Sequence, residues 1–196
     1  MSISKFTLKT FLGLFLFCLQ ANAQISTREE PASFRKNVPD LRTSEKTQII
    51  LPSLDMEKIQ QEDKEDDANG MPPRFGYIHD VSLSLDNSGE WTILSDSSRI
   101  WRLVLNCPNA LSVNLLYDKF WLPDGAEFFV YSNDRRHSIG AFTSVNNKGS
   151  KNDIQGFATG LVYGDQVTLE YYLPNNVKEV GNISISGIVH GYRYIL

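Results

Sequence analysis

Residues 111–142, LSVNLLYDKFWLPDGAEFFVYSNDRRHSIGAF, decide the fold class. Leu111, Val113 and Leu115 alternate with Ser112 and Asn114, the period of a strand with one buried face. Pro123 presets φ for a turn, Asp124 can bond its own backbone, and Gly125 tolerates positive φ. Glu127 to Tyr131 is aromatic and extended, and Ser132-Asn133-Asp134 turns the chain again. Working outward, further strands are expected at Tyr77–Ser82, Glu90–Ser95, Arg99–Asn106, Ser138–Phe142, Gly156–Val162, Gln166–Leu173 and Asn182–Val189. Turn clusters such as Asp86-Asn87-Ser88-Gly89 and Tyr163-Gly164-Asp165 separate them. In the strand at 166–173, Val167, Leu169, Tyr171 and Leu173 share one face, and Thr168, Glu170 and Tyr172 share the other. Many short strands at close spacing lead to an all-β expectation, an antiparallel β-sandwich or jelly roll over residues 71–196.

The chain has 196 residues, with 19 Lys and Arg against 23 Asp and Glu. This suits one domain with tails, and the lack of a basic stripe argues against nucleic acid. Residues 1–23 have the form of a secretory signal peptide. Lys5 and Lys9 precede the apolar run Phe11–Leu19, too short to span a bilayer, and Ala21-Asn22-Ala23 is the cleavage site. The chain is therefore expected to be exported, periplasmic or secreted, with no membrane anchor after cleavage. Residues 24–70 read as a polar, largely disordered linker, since Gln60–Asp67 is a charge run without apolar anchors. Two weaker signals lie in it: a short helix at Asp55–Gln61 and a short strand or docking patch at Ile49–Leu51. After cleavage Cys107 is the single cysteine. It follows Leu103 and Leu105 in strand alternation and reads as a small buried hydrophobe.

Catalytic sets are hard to assemble. Histidines occur only at 79, 137 and 190, and each reads as a strand or surface residue. No Gly-Asp-Ser-Gly surrounds a serine, and Gly164-Asp165-Gln166 reads as a hairpin turn. Asp118, Asp124, Glu127 and Glu170 read as turn or solvent-facing carboxylates. No spacing fits zinc or a calcium loop, so no metal or cofactor is expected. Trp101 belongs to the core, and among the aromatics Trp121, beside the Pro-Asp-Gly turn, is the best candidate for an exposed one.

One set of motifs carries a family resemblance. It comprises Gly89-Glu90-Trp91, Ile100-Trp101-Arg102-Leu103, Ala110 to Leu115, and Leu122-Pro123-Asp124-Gly125-Ala126. It continues with Val130-Tyr131-Ser132, Ile139-Gly140-Ala141-Phe142, Gly164-Asp165-Gln166-Val167 and His190-Gly191-Tyr192-Arg193. In order and spacing these resemble the amino-terminal pro-region of secreted trypsin-like serine peptidases of the lysyl endopeptidase type, found among exported Bacteroidetes proteins. The resemblance runs over roughly residues 75–195. In that family a catalytic domain usually follows, and here the sequence stops at Leu196.

The resemblance implies a noncatalytic pro-region or accessory module whose partner is a trypsin-like peptidase domain. The alternative is a free-standing secreted module that binds glycan or cell surface. Partner or glycan contacts are expected at Trp121, Asp124, Gly125, His190 and Arg193. The exported chain is expected to begin at Gln24. Intact-mass measurement of the secreted protein checks this, and a retained leader or a lipid on Cys18 contradicts it.

Overall fold

The computed structural model describes residues 29–36, 38 and 45–194. The leader expected at residues 1–23, its cleavage product's first residue Gln24, and Leu196 lie outside them. Within those residues the chain forms helix α1 (Ala32–Arg35), strand β1 (Gln48–Ile50), helix α2 (Met56–Ala68), and strands β2 (Gly76–Ser84), β3 (Glu90–Ile93) and β4 (Arg99–Asn106). Then come β5 (Ser112–Trp121), β6 (Glu127–Ser132), β7 (Ser138–Phe142), the short strands β8 (Gly149–Ser150), β9 (Asp153–Ile154), β10 (Phe157–Ala158) and β11 (Val162–Tyr163), and finally β12 (Gln166–Leu173) and β13 (Asn182–Gly191). No helix among the described residues is long and apolar enough to cross a membrane.

One sheet has the order β1-β4-β12-β6-β7, with β3 also paired to β4. A second has the order β10-β5-β13-β2, with β11 also on β5. The all-β sandwich or jelly-roll expectation is corrected here. The fold is mixed α/β, two open sheets that neither close into a barrel nor curl strongly, with real helical content. The pairing of β1 with β4 is moreover parallel, Gln48 opposite Val104 and Ile50 opposite Asn106.

The expected short helix at Asp55–Gln61 falls on the first half of α2, and its continuation to Ala68 was hidden because its apolar residues are few, so periodicity is weak. It forms nonetheless from good helix formers. Asp55 caps it by accepting the Lys58 N–H at 3.1 Å, and Lys58–Glu62 and Gln61–Glu65 pair one turn apart. Only Ile59 and Asp63 are buried. Helix α1, strand β1 and helix α2 all lie in the stretch read as linker, and side chains from each dock on the sheets.

The two sheets share one apolar cluster. Strand β12 supplies Val167, Leu169, Tyr171 and Leu173, β4 supplies Trp101, Leu103 and Leu105, β5 supplies Val113, Leu115, Tyr117 and Phe120, and β13 supplies Ile183, Ile185 and Ile188. Each fully buried aliphatic side chain contributes about 1.5–3 kcal/mol relative to exposure. Aromatic edges interlock inside it, with Phe120 against Phe128 at 5.6 Å and stacked on Phe157 at 4.4 Å. Cys107 is fully buried as expected, and burial pushes its thiol up to about 12.

Trp101 is the largest fully buried side chain, and the turn before β3 is shaped around it. Its indole N–H donates to the Ser88 carbonyl at 2.8 Å. Gly89, at φ +70°, lies so close to the ring that an added Cβ would fall 2.4 Å from Cε2. Gly89→Ala should therefore lower stability by about 1–3 kcal/mol through overpacking and left-handed strain. Urea denaturation measures it, and an unchanged midpoint would contradict this packing.

Candidate functional site

Strand β12 is flanked by β4 and β6, with its inner face buried and its outer face half-buried except at Glu170. Its inner face is the apolar cluster. On its outer face, Glu170 stands between Arg102 of β4 and Phe129 of β6, its direct cross-strand neighbours. Thr168 and Tyr131 are paired one row away. Glu170 is fully buried, although the sequence reading placed it among solvent-facing carboxylates. What covers it is the segment at residues 29–36.

That segment is gripped through side chains. The Ser33 backbone N–H donates to Glu170 Oε1 at 2.9 Å, and the Ser33 hydroxyl donates to Oε2. The Tyr131 hydroxyl donates to the same Oε2 at 3.2 Å. Phe34 meets Tyr131 edge-on at 4.8 Å, and the Arg135 guanidinium lies over its ring at 4.6 Å. Arg135 sits in the β6–β7 turn at φ +59°, a left-handed position that aims its side chain over the sheet. Phe34, Phe129, Tyr131 and Ala141 form an apolar cluster separate from the main one. Arg35 pairs with Glu127. Lys36 Nζ sits 2.7 Å from Asp96 and over the Tyr172 ring at 5.5 Å.

Electrostatics follow the packing. The Lys36 ammonium, with Ser98 donating as well, holds the Asp96 carboxyl well below its usual range. Burial raises Glu127, with Arg35 opposing the shift. Burial, reinforced by Glu170, pushes the Tyr131 phenol up, so it stays a hydrogen-bond donor at neutral pH. The site thus presents a carboxylate floor for an N–H and a hydroxyl, an aromatic slot, and two peripheral acids for basic side chains. What it holds is residues 33–36 of the same chain.

The residues expected from sequence are not brought together. Trp121, half-buried, ends β5 opposite Asn182, while His190 lies opposite Val113 near the other end of the same pair. At about 3.3 Å per residue these are roughly 25 Å apart. Asp124 and Gly125 are exposed in the turn, Gly125 at φ +86°. His190 is buried. Arg193 is held by Asp63 of α2 at 2.8 Å, and the same carboxylate binds Arg74 Nε at 3.0 Å and the Tyr192 hydroxyl at 3.0 and 3.1 Å. That knot ties α2 to the chain after β13.

The sequence reading kept the histidines apart, yet strands β2 and β13 bring His79 and His190 to 5.7 Å between ring centroids. Helix α2 lies beside His79, and Lys58, Ile59 and Glu62 line a cavity of about 240 Å³ with Tyr77 and His79. Among the described residues no three His, Cys, Asp or Glu side chains gather to hold a metal ion. No protein-family model matches the chain, and no solved structure matches it significantly.

Residues 33–36 and Glu170 were missed because docking of a distant segment leaves no local pattern. One signal did exist. In β6, Phe128 and Val130 face one way while Phe129 and Tyr131 face the other, so both faces needed cover.

Burial holds both imidazoles below the ordinary histidine value, His190 further because His79 is beside it. The unfolded chain then binds protons that the folded chain resists. Their contribution is complete above the ordinary value of 6.5 and is lost as pH falls through the lower folded values. Glu127, raised in the fold, acts in the opposite sense, so the informative quantity is a difference between variants. Between about pH 7.5 and about pH 5, His79→Gln should lose less stability than the native chain. Denaturation midpoints across that range measure it, and parallel curves would contradict it.

Proposed function

We propose that this chain is a noncatalytic accessory module, pro-region-like, of an exported trypsin-like peptidase of the lysyl endopeptidase type, and that it works by holding polypeptide. The observation that carries the reading is the Glu170 site. A polar site buried in the centre of a sheet is occupied by a peptide segment 137 residues away in sequence. A fully buried carboxylate matched to a backbone N–H, a hydroxyl and a phenol is suited to gripping a chain in one register. The resemblance over residues 75–195 supplies the peptidase as partner. A module of this kind acts by mass action, stabilising the native state of the domain it binds or blocking its cleft.

The purified chain is expected to hydrolyse no peptide substrate. Added to a refolding trypsin-like catalytic domain of that type, it should raise the recovered activity or inhibit the folded enzyme in a saturable way. Glu170→Gln should weaken either effect, because an amide cannot accept from all three donors at once. Hydrolysis by the chain itself, or no effect in either assay, would overturn the reading.

A further inference from the structure

The geometry points to the outer face of the six-stranded sheet as an exchangeable peptide-binding site, with residues 31–36, Pro-Ala-Ser-Phe-Arg-Lys, as its resident ligand. The chemistry it would take from another polypeptide is a serine followed by an aromatic and then by basic side chains. This deepens the proposed function and rests on its claim that the module holds polypeptide.

Three observations support exchange. First, the main apolar cluster contains no residue of the 29–36 segment. That cluster closes without the segment, although Ala32 is itself fully buried, and the patch that Phe34 covers is a separate one of Phe129, Tyr131 and Ala141. Second, the segment takes no strand position in either sheet. Its backbone-to-backbone bonds stay local, Phe34 N–H to the Pro31 carbonyl at 3.0 Å and Lys36 N–H to the Ala32 carbonyl at 2.9 Å, and the Ser33 N–H reaches only a side chain, Glu170. A single turn of four residues has little helical stability of its own, so its order comes from the cradle. Third, a vacated cradle is tolerable but not indifferent. Glu170 would regain water and remain solvated, whereas Phe129 and Tyr131 would be left as an exposed apolar patch, which favours refilling.

Each subsite reads a different part of the ligand. Glu170 takes the serine N–H and hydroxyl, which requires both at one residue. Tyr131 and Arg135 close on the aromatic ring from two sides. Glu127 and Asp96 take successive basic side chains. A ligand in trans competes with an internal one, so its apparent affinity is reduced by the fraction of chains with the cradle open.

The probe is a dye-labelled synthetic peptide of residues 29–38 and a scrambled version, titrated against full chains by fluorescence anisotropy. A chain carrying Ser33→Ala and Phe34→Ala, shown folded by a cooperative thermal transition, should bind the peptide at one site. It should bind about tenfold or more tightly than the native chain does. Adding Glu170→Gln to it should weaken binding about tenfold. Hydrogen exchange on the native chain gives a second measurement. Residues 31–36 should exchange by local opening, at lower denaturant than β12, and faster when unlabelled peptide is added. No binding by the folded variant, equal binding of the scrambled peptide, indifference to Glu170→Gln, or exchange of residues 31–36 only with global unfolding would each overturn the inference. Peptide binding without any effect on a peptidase would leave this site standing and remove the accessory role. A peptidase effect that survives loss of peptide binding would do the reverse.

Discussion

A carboxylate cannot stay buried in the middle of a sheet without donors, and Glu170 imposes that requirement on everything around it. An unpaired buried charge costs several kcal/mol. The strand that carries it is the central partner of β4 and β6, so the cost falls on the whole six-stranded sheet. The fold meets it with Ser33 and Tyr131, one from the far end of the sequence and one from the neighbouring strand. Once Ser33 is placed, Phe34, Arg35 and Lys36 follow in register onto Tyr131, Glu127 and Asp96.

The second sheet solves a different problem. Its inner face extends past the region that the first sheet covers, and Tyr77, His79 and His190 lie there. Helix α2 covers that end, with Ile59 as its apolar contact and Asp63 as its polar anchor. Because Asp63 binds Arg74, Tyr192 and Arg193 together, the helix is fixed to the residues flanking both β2 and β13. A helix so poor in apolar residues would otherwise have little reason to stay.

Much of the strand framework was legible because one-sided burial writes itself as alternation. The bounds of β4, β7 and β12 read from the sequence match the structure, as do the burial of Trp101 and Cys107. Of the helical part only a short helix at Asp55–Gln61, the first half of α2, was legible. In α2 the charge run conceals a helix whose partners, Tyr192 and Arg193, lie more than a hundred residues later, and it was this content that the all-β reading left out. The stretch Gly156–Val162, read as one strand, falls on two short ones, Phe157–Ala158 and Val162–Tyr163. The candidate site was the least legible. Glu170 alternates with inward residues just as a solvated glutamate does, and only the segment docked on it distinguishes the two.

The grip on residues 33–36 is also graded from centre to rim, and dissolved salt acts on the two zones unequally. Ser33 and Glu170 are sealed from the medium. Arg35 and Lys36, by contrast, keep roughly a third of their side-chain surface in contact with it. The Debye length shrinks from about 8 Å at physiological ionic strength to about 3 Å at 1 M. Concentrated brine therefore loosens the basic rim and leaves the serine anchor in place, so the segment meets high salinity as a peptide pinned at one end.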